Sequence, residues 1–253
     1  MTGQLAQLAR RSVLGIVRQP AEFVPALAFP LIFLALMNAG VGSAARLPGF
    51  PSESYLAFIL PAVLVQGAMF GGVNSGSRLA IDIEDGFLRR LSLTAIQRWA
   101  LLLGHLSGSM AVALVQGVIF VAVGLIAGVE FKTGLIGAGV LIGINVLFAL
   151  AFSSIGAVLA VRIGSSEAVQ SSFPLFFIII SFSSFFIPRD LITATWFRAI
   201  ATANPASYVI EAGRSVVITG WDAGVLLTGV GAVTAVIVVA LAAASRGLRT
   251  RLV

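Results

Sequence analysis

Long apolar runs constrain this chain more than any other feature. A bilayer core about 30 Å thick is crossed by about 20 apolar residues at a rise of ~1.5 Å each. Six stretches come close to or exceed that length: residues 23–41, 55–77, 100–129, 135–161, 168–187 and 223–244. Only 10% of the residues are charged, where soluble domains carry roughly 25%. A water-soluble fold of this composition would expose apolar surface on every side. The net charge of +6 does not point to nucleic acid, because the basic residues form short clusters between the apolar runs. That is the layout of loops lying against anionic lipid. The reading is an all-α polytopic membrane protein with six transmembrane helices in one domain, residues 1–253.

Basic residues orient the spans. With both termini in the cytoplasm, inside segments hold 11 of the 16 Lys and Arg residues and outside segments hold Arg46, Lys132, Arg189, Arg198 and Arg214. Residues 1–22 place Leu5, Leu8, Val13, Ile16 and Val17 at helical spacing with Gln4, Gln7, Arg11 and Arg18 opposite. An interfacial amphipathic helix is expected there. The first apolar run is of spanning length rather than a short leader core, so it is read as a span and not as a cleaved signal.

Absences narrow the chemistry. There is no cysteine, and His105 is the lone histidine, so a thiolate or multi-histidine metal site is excluded. A P-loop needs a Gly-Lys-Ser/Thr run, but Lys132, the only lysine, follows Phe131. All ten acids lie at or near the predicted span ends and in loops, which disfavours a proton-coupled carrier. No serine has an obvious base beside it.

Two connecting segments are too patterned to be simple turns. Residues 79–99, predicted to be cytoplasmic, contain Asp82-Ile83-Glu84-Asp85-Gly86-Phe87-Leu88-Arg89-Arg90-Leu91. Acids suit the start of a helix and bases its end, and Ile83, Phe87 and Leu91 would form one apolar ridge. Residues 188–221, predicted to be external, begin with Pro188 and carry Trp196 and Phe197 at headgroup level. Asn204-Pro205 then splits two short helices, which suits a hairpin re-entering the outer leaflet. Glu211 and Arg214, three residues apart, are expected to pair and to brace it.

Glu84-Asp85-Gly86, Leu88, Arg90, Leu91, Thr94, Arg98 and Gly104 together resemble the cytoplasmic signature of ABC-2 type transporter permeases. The ordered set Phe186, Pro188, Trp196, Asn204-Pro205, Tyr208, Glu211 and Arg214 is similar to that family's pattern before its last span. The chain departs from the family at Ala95 and His105, where proline and lysine are frequent. The resemblance implies a coupling helix, formed by Glu84, Asp85, Gly86, Phe87, Leu88, Arg90, Leu91 and Arg98, that sits in a cleft of a separate ATPase. That partner would hold ATP and Mg, so this chain would need no cofactor and would not be an enzyme. It also implies a second permease copy or paralogue and a cargo path lined by the second and fifth spans. Here these carry Gln66, Phe70 and Asn74, and Phe173 and Phe177. The expected role is export of a small amphipathic drug or antibiotic across a bacterial inner membrane, with polysaccharide or lipid-linked glycan as the alternative cargo. From other classes, the alternatives are a non-transporting receptor or assembly scaffold and an ion-coupled carrier.

Overall fold

The computed structural model describes residues 20–86 and 98–251, all of them in helices and short connections, with no strand among them. The helices are α1 (Pro20–Val41), α2 (Tyr55–Glu84), α3 (Arg98–Ile126), α4 (Gly134–Ile163), α5 (Ser166–Ser171), α6 (Phe173–Ser181), α7 (Thr195–Ala203), α8 (Pro205–Arg214) and α9 (Ala223–Arg251). Five of them, α1, α2, α3, α4 and α9, are long and apolar enough to cross a membrane. The chain is therefore an all-α polytopic membrane protein. The amphipathic stretch over residues 1–19 lies outside the described residues.

Helix α2 is the hub. It is apolar all round, as a helix surrounded by protein should be, and 22 of its 30 residues are buried. It packs against α1, α3, α4 and α8. Its approach to α4 depends on small residues. A Cβ on Gly76 would lie 2.7 Å from Gly156 Cα, and one on Gly72 would lie 2.8 Å from the Phe152 carbonyl carbon. Lipid tails are as apolar as leucine, so close backbone contact of this kind is what holds spans together. Gln66, Gln116 and Asn145 lie roughly 15–17 Å along their helices from the same end of the bundle, by helix rise. All three are at most 1% exposed. Asn145 Nδ2 donates to Ala113 O at 2.9 Å, whereas the Gln66 and Gln116 amides have no hydrogen-bond partner among the described residues.

Two expectations change. The span expected over 168–187 is not one helix: α5 and α6 meet at a break around Ser172. Pro174, in the first turn of α6, has no N–H to continue the ladder. Ser171 and Ser172 turn their hydroxyls onto Ala168 O and Val169 O. Helical geometry stops at Ser181. The second correction concerns the segment expected to begin at 79. Helix α2 continues to Glu84 and is closed by Gly86, whose φ of +66° is left-handed. Glu84 and Asp85 thus end a helix rather than start one. The apolar ridge expected from Ile83 to Phe87 and Leu91 lies outside the described residues beyond Ile83. A hydrophobicity window registers lipid exposure, and α2 outlasts it because the polar residues of its last turn are still helical.

Candidate functional site

The sequence-predicted residues gather at opposite ends of the bundle. At one end, α2 stops in an exposed turn. Glu84 and Asp85 are both exposed. Asp85 N donates to Ile81 O at 2.9 Å and Gly86 N to Ile83 O at 3.1 Å, which satisfies the last carbonyls of α2. A Cβ on Gly86 would meet none of the described residues within 4 Å, and its requirement is the left-handed φ. Glu84 accepts from Ser166 N at 3.1 Å, placing a carboxylate at the N-terminus of α5 where the helix dipole favours it. Gln170 Nε2 donates to Ser77 Oγ at 3.0 Å. Helix α5 is thereby tied to the last turns of α2. One helix away, His105 Nε2 lies 3.0 Å from Ser75 O and its Nδ1 3.7 Å from Asp82. Phe87, Leu88, Arg90 and Leu91 lie outside the described residues. Arg98 opens α3.

At the other end, the hairpin expected around Asn204-Pro205 is formed by α7 and α8. Asn204 closes both sides of it. Its Oδ1 accepts from Ala206 N at 3.0 Å, capping α8. Its Nδ2 donates to Ile179 O at 2.6 Å and to Phe182 O at 3.3 Å, the loose carbonyls at the end of α6. Pro205 occupies the first turn of α8, where a missing N–H costs nothing. Ser207 Oγ accepts from Ser184 N at 3.1 Å, and Tyr208 donates its hydroxyl to Thr202 O at 2.7 Å.

Glu211 and Arg214 do not form the expected pair. Glu211 binds Arg189, which follows Pro188, and Arg189 also lies 4.6 Å over the Tyr208 ring. Burial alone would lower the Arg189 pKa, but the hydrogen bond and charge of Glu211, with Tyr208, outweigh it and raise it. Arg214 turns inward instead and is 7% exposed. It donates Nε to Phe58 O at 2.9 Å, Nη1 to Ser184 O at 2.6 Å and Nη2 to Phe185 O at 2.7 Å. The guanidinium stacks 3.5 Å over the Phe58 ring. No carboxylate lies within 4.0 Å of it among the described residues. Trp196 is 61% exposed and touches Phe182 and Phe197 by its ring.

The expected cargo-lining residues separate into two groups. Phe70 lies 4.5 Å from Phe173, and Phe173 lies 6.5 Å from Phe177. Phe29 of α1 joins them, 5.2 Å from Phe70, making one aromatic strip across α1, α2 and α6. Asn74 is half-buried. Gln66 is 0% exposed and faces the interior. Positions four apart rotate by about 40° on a helix of 3.6 residues per turn, so eight residues carry the row from interior to surface.

Sequence reasoning passed over several residues. The Gly72-x-x-x-Gly76 spacing was readable as a packing motif. Arg189 as the partner of Glu211 was not, because the two are 22 positions apart and only the hairpin brings them together.

A family model described as "ABC-2 type transporter" matches residues 3–218. The chain is 28% identical over 225 residues to the daunorubicin resistance ABC transporter permease protein DrrB1 of Streptomyces coeruleorubidus, covering 86% of this chain and 77% of that one. It is 28% identical over 228 residues to a putative transport permease, ycf38, of Pyropia yezoensis, covering 83% and 72%. It is 23% identical over 197 residues to the probable doxorubicin resistance ABC transporter permease protein DrrC of Mycobacterium tuberculosis, covering 78% and 70%.

Proposed function

The chain belongs to the ABC-2 type transporter family, and from that premise we propose that it is the membrane-spanning subunit of an ATP-driven exporter of a small amphipathic drug or antibiotic. The observation that carries the proposal is the end of α2. The most buried long helix of the bundle runs out into an exposed acidic turn closed by a left-handed glycine. A partner that grips this turn moves the hub of the fold directly.

In this reading a separate ATPase binds ATP and Mg, and its cleft receives residues 84–98. Glu84, Asp85 and Gly86 set the exit angle of the segment. Phe87, Leu88, Arg90, Leu91 and Arg98 supply the contact. Closure of the ATPases displaces the end of α2, and α5 follows through the Glu84–Ser166 and Gln170–Ser77 bonds. Two permease subunits, identical or paralogous, then shift against each other. Phe70, Asn74, Phe173 and Phe177, with Phe29, line the moving face, where aromatic surface suits an amphipathic cargo. The hairpin end faces outward and both termini lie in the cytoplasm of a bacterial cell. Two of the relatives described above carry drug-resistance names, which supports a drug over a polysaccharide cargo.

The test is co-expression with the cognate ATPase, reconstitution, and measurement of ATP hydrolysis for wild type, Glu84→Ala and Gly86→Pro. Loss of hydrolysis and of co-purification is the expected result, with the unfolding midpoint of the permease retained in Glu84→Ala and lowered in Gly86→Pro, which cannot take the left-handed cap of α2. An ATPase that neither binds the chain nor responds to the variants would end the exporter reading and bring forward a scaffold that does not transport.

A further inference from the structure

The hairpin end holds a half-open cavity of about 560 Å³ that the transport reading does not use. Three guanidinium groups, Arg189, Arg198 and Arg214, and three carboxylates, Asp190, Glu211 and Asp222, line it. The charges cancel in sum but not in place. Arg214 forms the buried part of the wall, and its three carbonyl partners carry dipoles but no charge. Glu211, the carboxylate nearest in sequence, is already bound to Arg189. The remaining acids lie at the rim. Asp190 is 93% exposed and 3.4 Å from Arg198, which is 52% exposed, and Asp222 is exposed, with one oxygen capping Val225 N. The site is therefore positive inside and acidic at its mouth.

Its depth in the membrane is marked by aromatic residues. Trp196 and Trp221, 61% and 55% exposed, lie two residues before Arg198 and directly before Asp222 in the chain. Exposed tryptophan on a membrane protein settles at headgroup level. Phe58, Pro51 and Val225 give the cavity an apolar side. The volume falls in the range of about 300–1,000 Å³ in which proteins hold small ligands.

We propose that this cavity binds the headgroup of a zwitterionic phospholipid, with the phosphate directed toward Arg214 and Arg189 and the ammonium toward Asp190 and Asp222. A single anion would satisfy the interior and be repelled at the mouth. A single cation would meet the reverse. A headgroup bearing both charges a few ångströms apart matches both. The bound lipid would join α8, the Arg189 turn and the start of α9, and so make the hairpin responsive to membrane composition.

The test is native mass spectrometry of the full chain released from micelles containing equal amounts of phosphatidylethanolamine, phosphatidylglycerol and diacylglycerol. Phosphatidylethanolamine should be retained best, phosphatidylglycerol less, and diacylglycerol least. The double change Asp190→Asn/Asp222→Asn is at exposed positions and leaves the buried network intact. It should lower phosphatidylethanolamine retention by about three- to tenfold, the scale of a lost charge-assisted contact. The acidic double variant should leave phosphatidylglycerol retention unreduced. Equal retention of diacylglycerol, or phosphatidylethanolamine binding indifferent to the double variant, would overturn the site. Displacement of the lipid by millimolar inorganic phosphate would assign the cavity to a soluble phosphate and overturn the lipid. None of these outcomes depends on ATPase coupling, so the exporter reading stands or falls separately.

Discussion

The turn at the end of α2 and the α7–α8 hairpin are about equally rich in motif residues, yet they use them in opposite ways. At the turn, Glu84 and Asp85 are exposed. At the hairpin, Asn204 and Arg214 are each 7% exposed, and their side chains bond to backbone. The hairpin residues replace ladder bonds that broken helices leave unmade: Asn204 serves the end of α6 and the start of α8, and Arg214 gathers carbonyls from α2 and from the stretch after α6. Within a membrane such carbonyls have no water to turn to. One motif maintains the fold; the other, in the exporter reading, is offered to a partner. Mutations should separate the two by whether they change stability or activity.

Arg214→Ala should have the largest effect. It strips three buried carbonyls of their donor and should lower stability by about 3 kcal/mol or more, read as lost yield and a lower unfolding midpoint in detergent. A normal midpoint would mean that the hairpin is held by something else. Gly76→Ala comes next. Its methyl would meet the Gly156 backbone at 2.7 Å, so α2 and α4 must separate, at about 1–3 kcal/mol. Asn204→Ala removes a cap and a bridge and should cost about 1–2 kcal/mol. Thermal unfolding of the purified permease checks both. Glu84→Gln sharpens the contrast from the other side. At an exposed position it should shift stability by less than about 0.5 kcal/mol while reducing ATPase stimulation. A fall in the midpoint as large as that for Asn204→Ala would erase the distinction between the two motifs. The smallest effect is expected for Gln116→Met. Its amide is buried without a partner among the described residues, so an apolar side chain of similar size should be neutral or stabilise by up to about 1 kcal/mol.

Much of the hairpin was legible before any coordinates. Asn204-Pro205 marks a helix break because proline suits only the first turn of a helix and asparagine caps it. The α7 and α8 boundaries follow from that. Other features were legible only in part. Glu211 and Arg214 sit at a spacing that permits a pair, but spacing says nothing of a competing partner. Arg189 wins because Pro188 and the turn after it deliver its side chain to Glu211, leaving Arg214 to turn inward. Residues 168–187 are apolar enough for a span, and the break at Ser172 depends on serine hydroxyls that a hydropathy window scores as nearly neutral.

The sequence by itself determined the solvent and the class of fold. Runs of apolar residues of bilayer length, with charge confined to their ends, leave helices as the only way to satisfy the backbone in lipid. It also marked the ordered motifs by which the family is recognised. Only the tertiary structure decided which side chains face inward. It buried Gln66 while Phe70 met Phe173, gave Glu211 to Arg189, closed α2 on Gly86 rather than starting a helix there, and collected six charged residues around one cavity. The physical reason is that composition and periodicity are properties of one helix at a time. Burial and pairing are set by which helices lie against each other, and in a bundle whose spans are all apolar almost any face could have been the inner one.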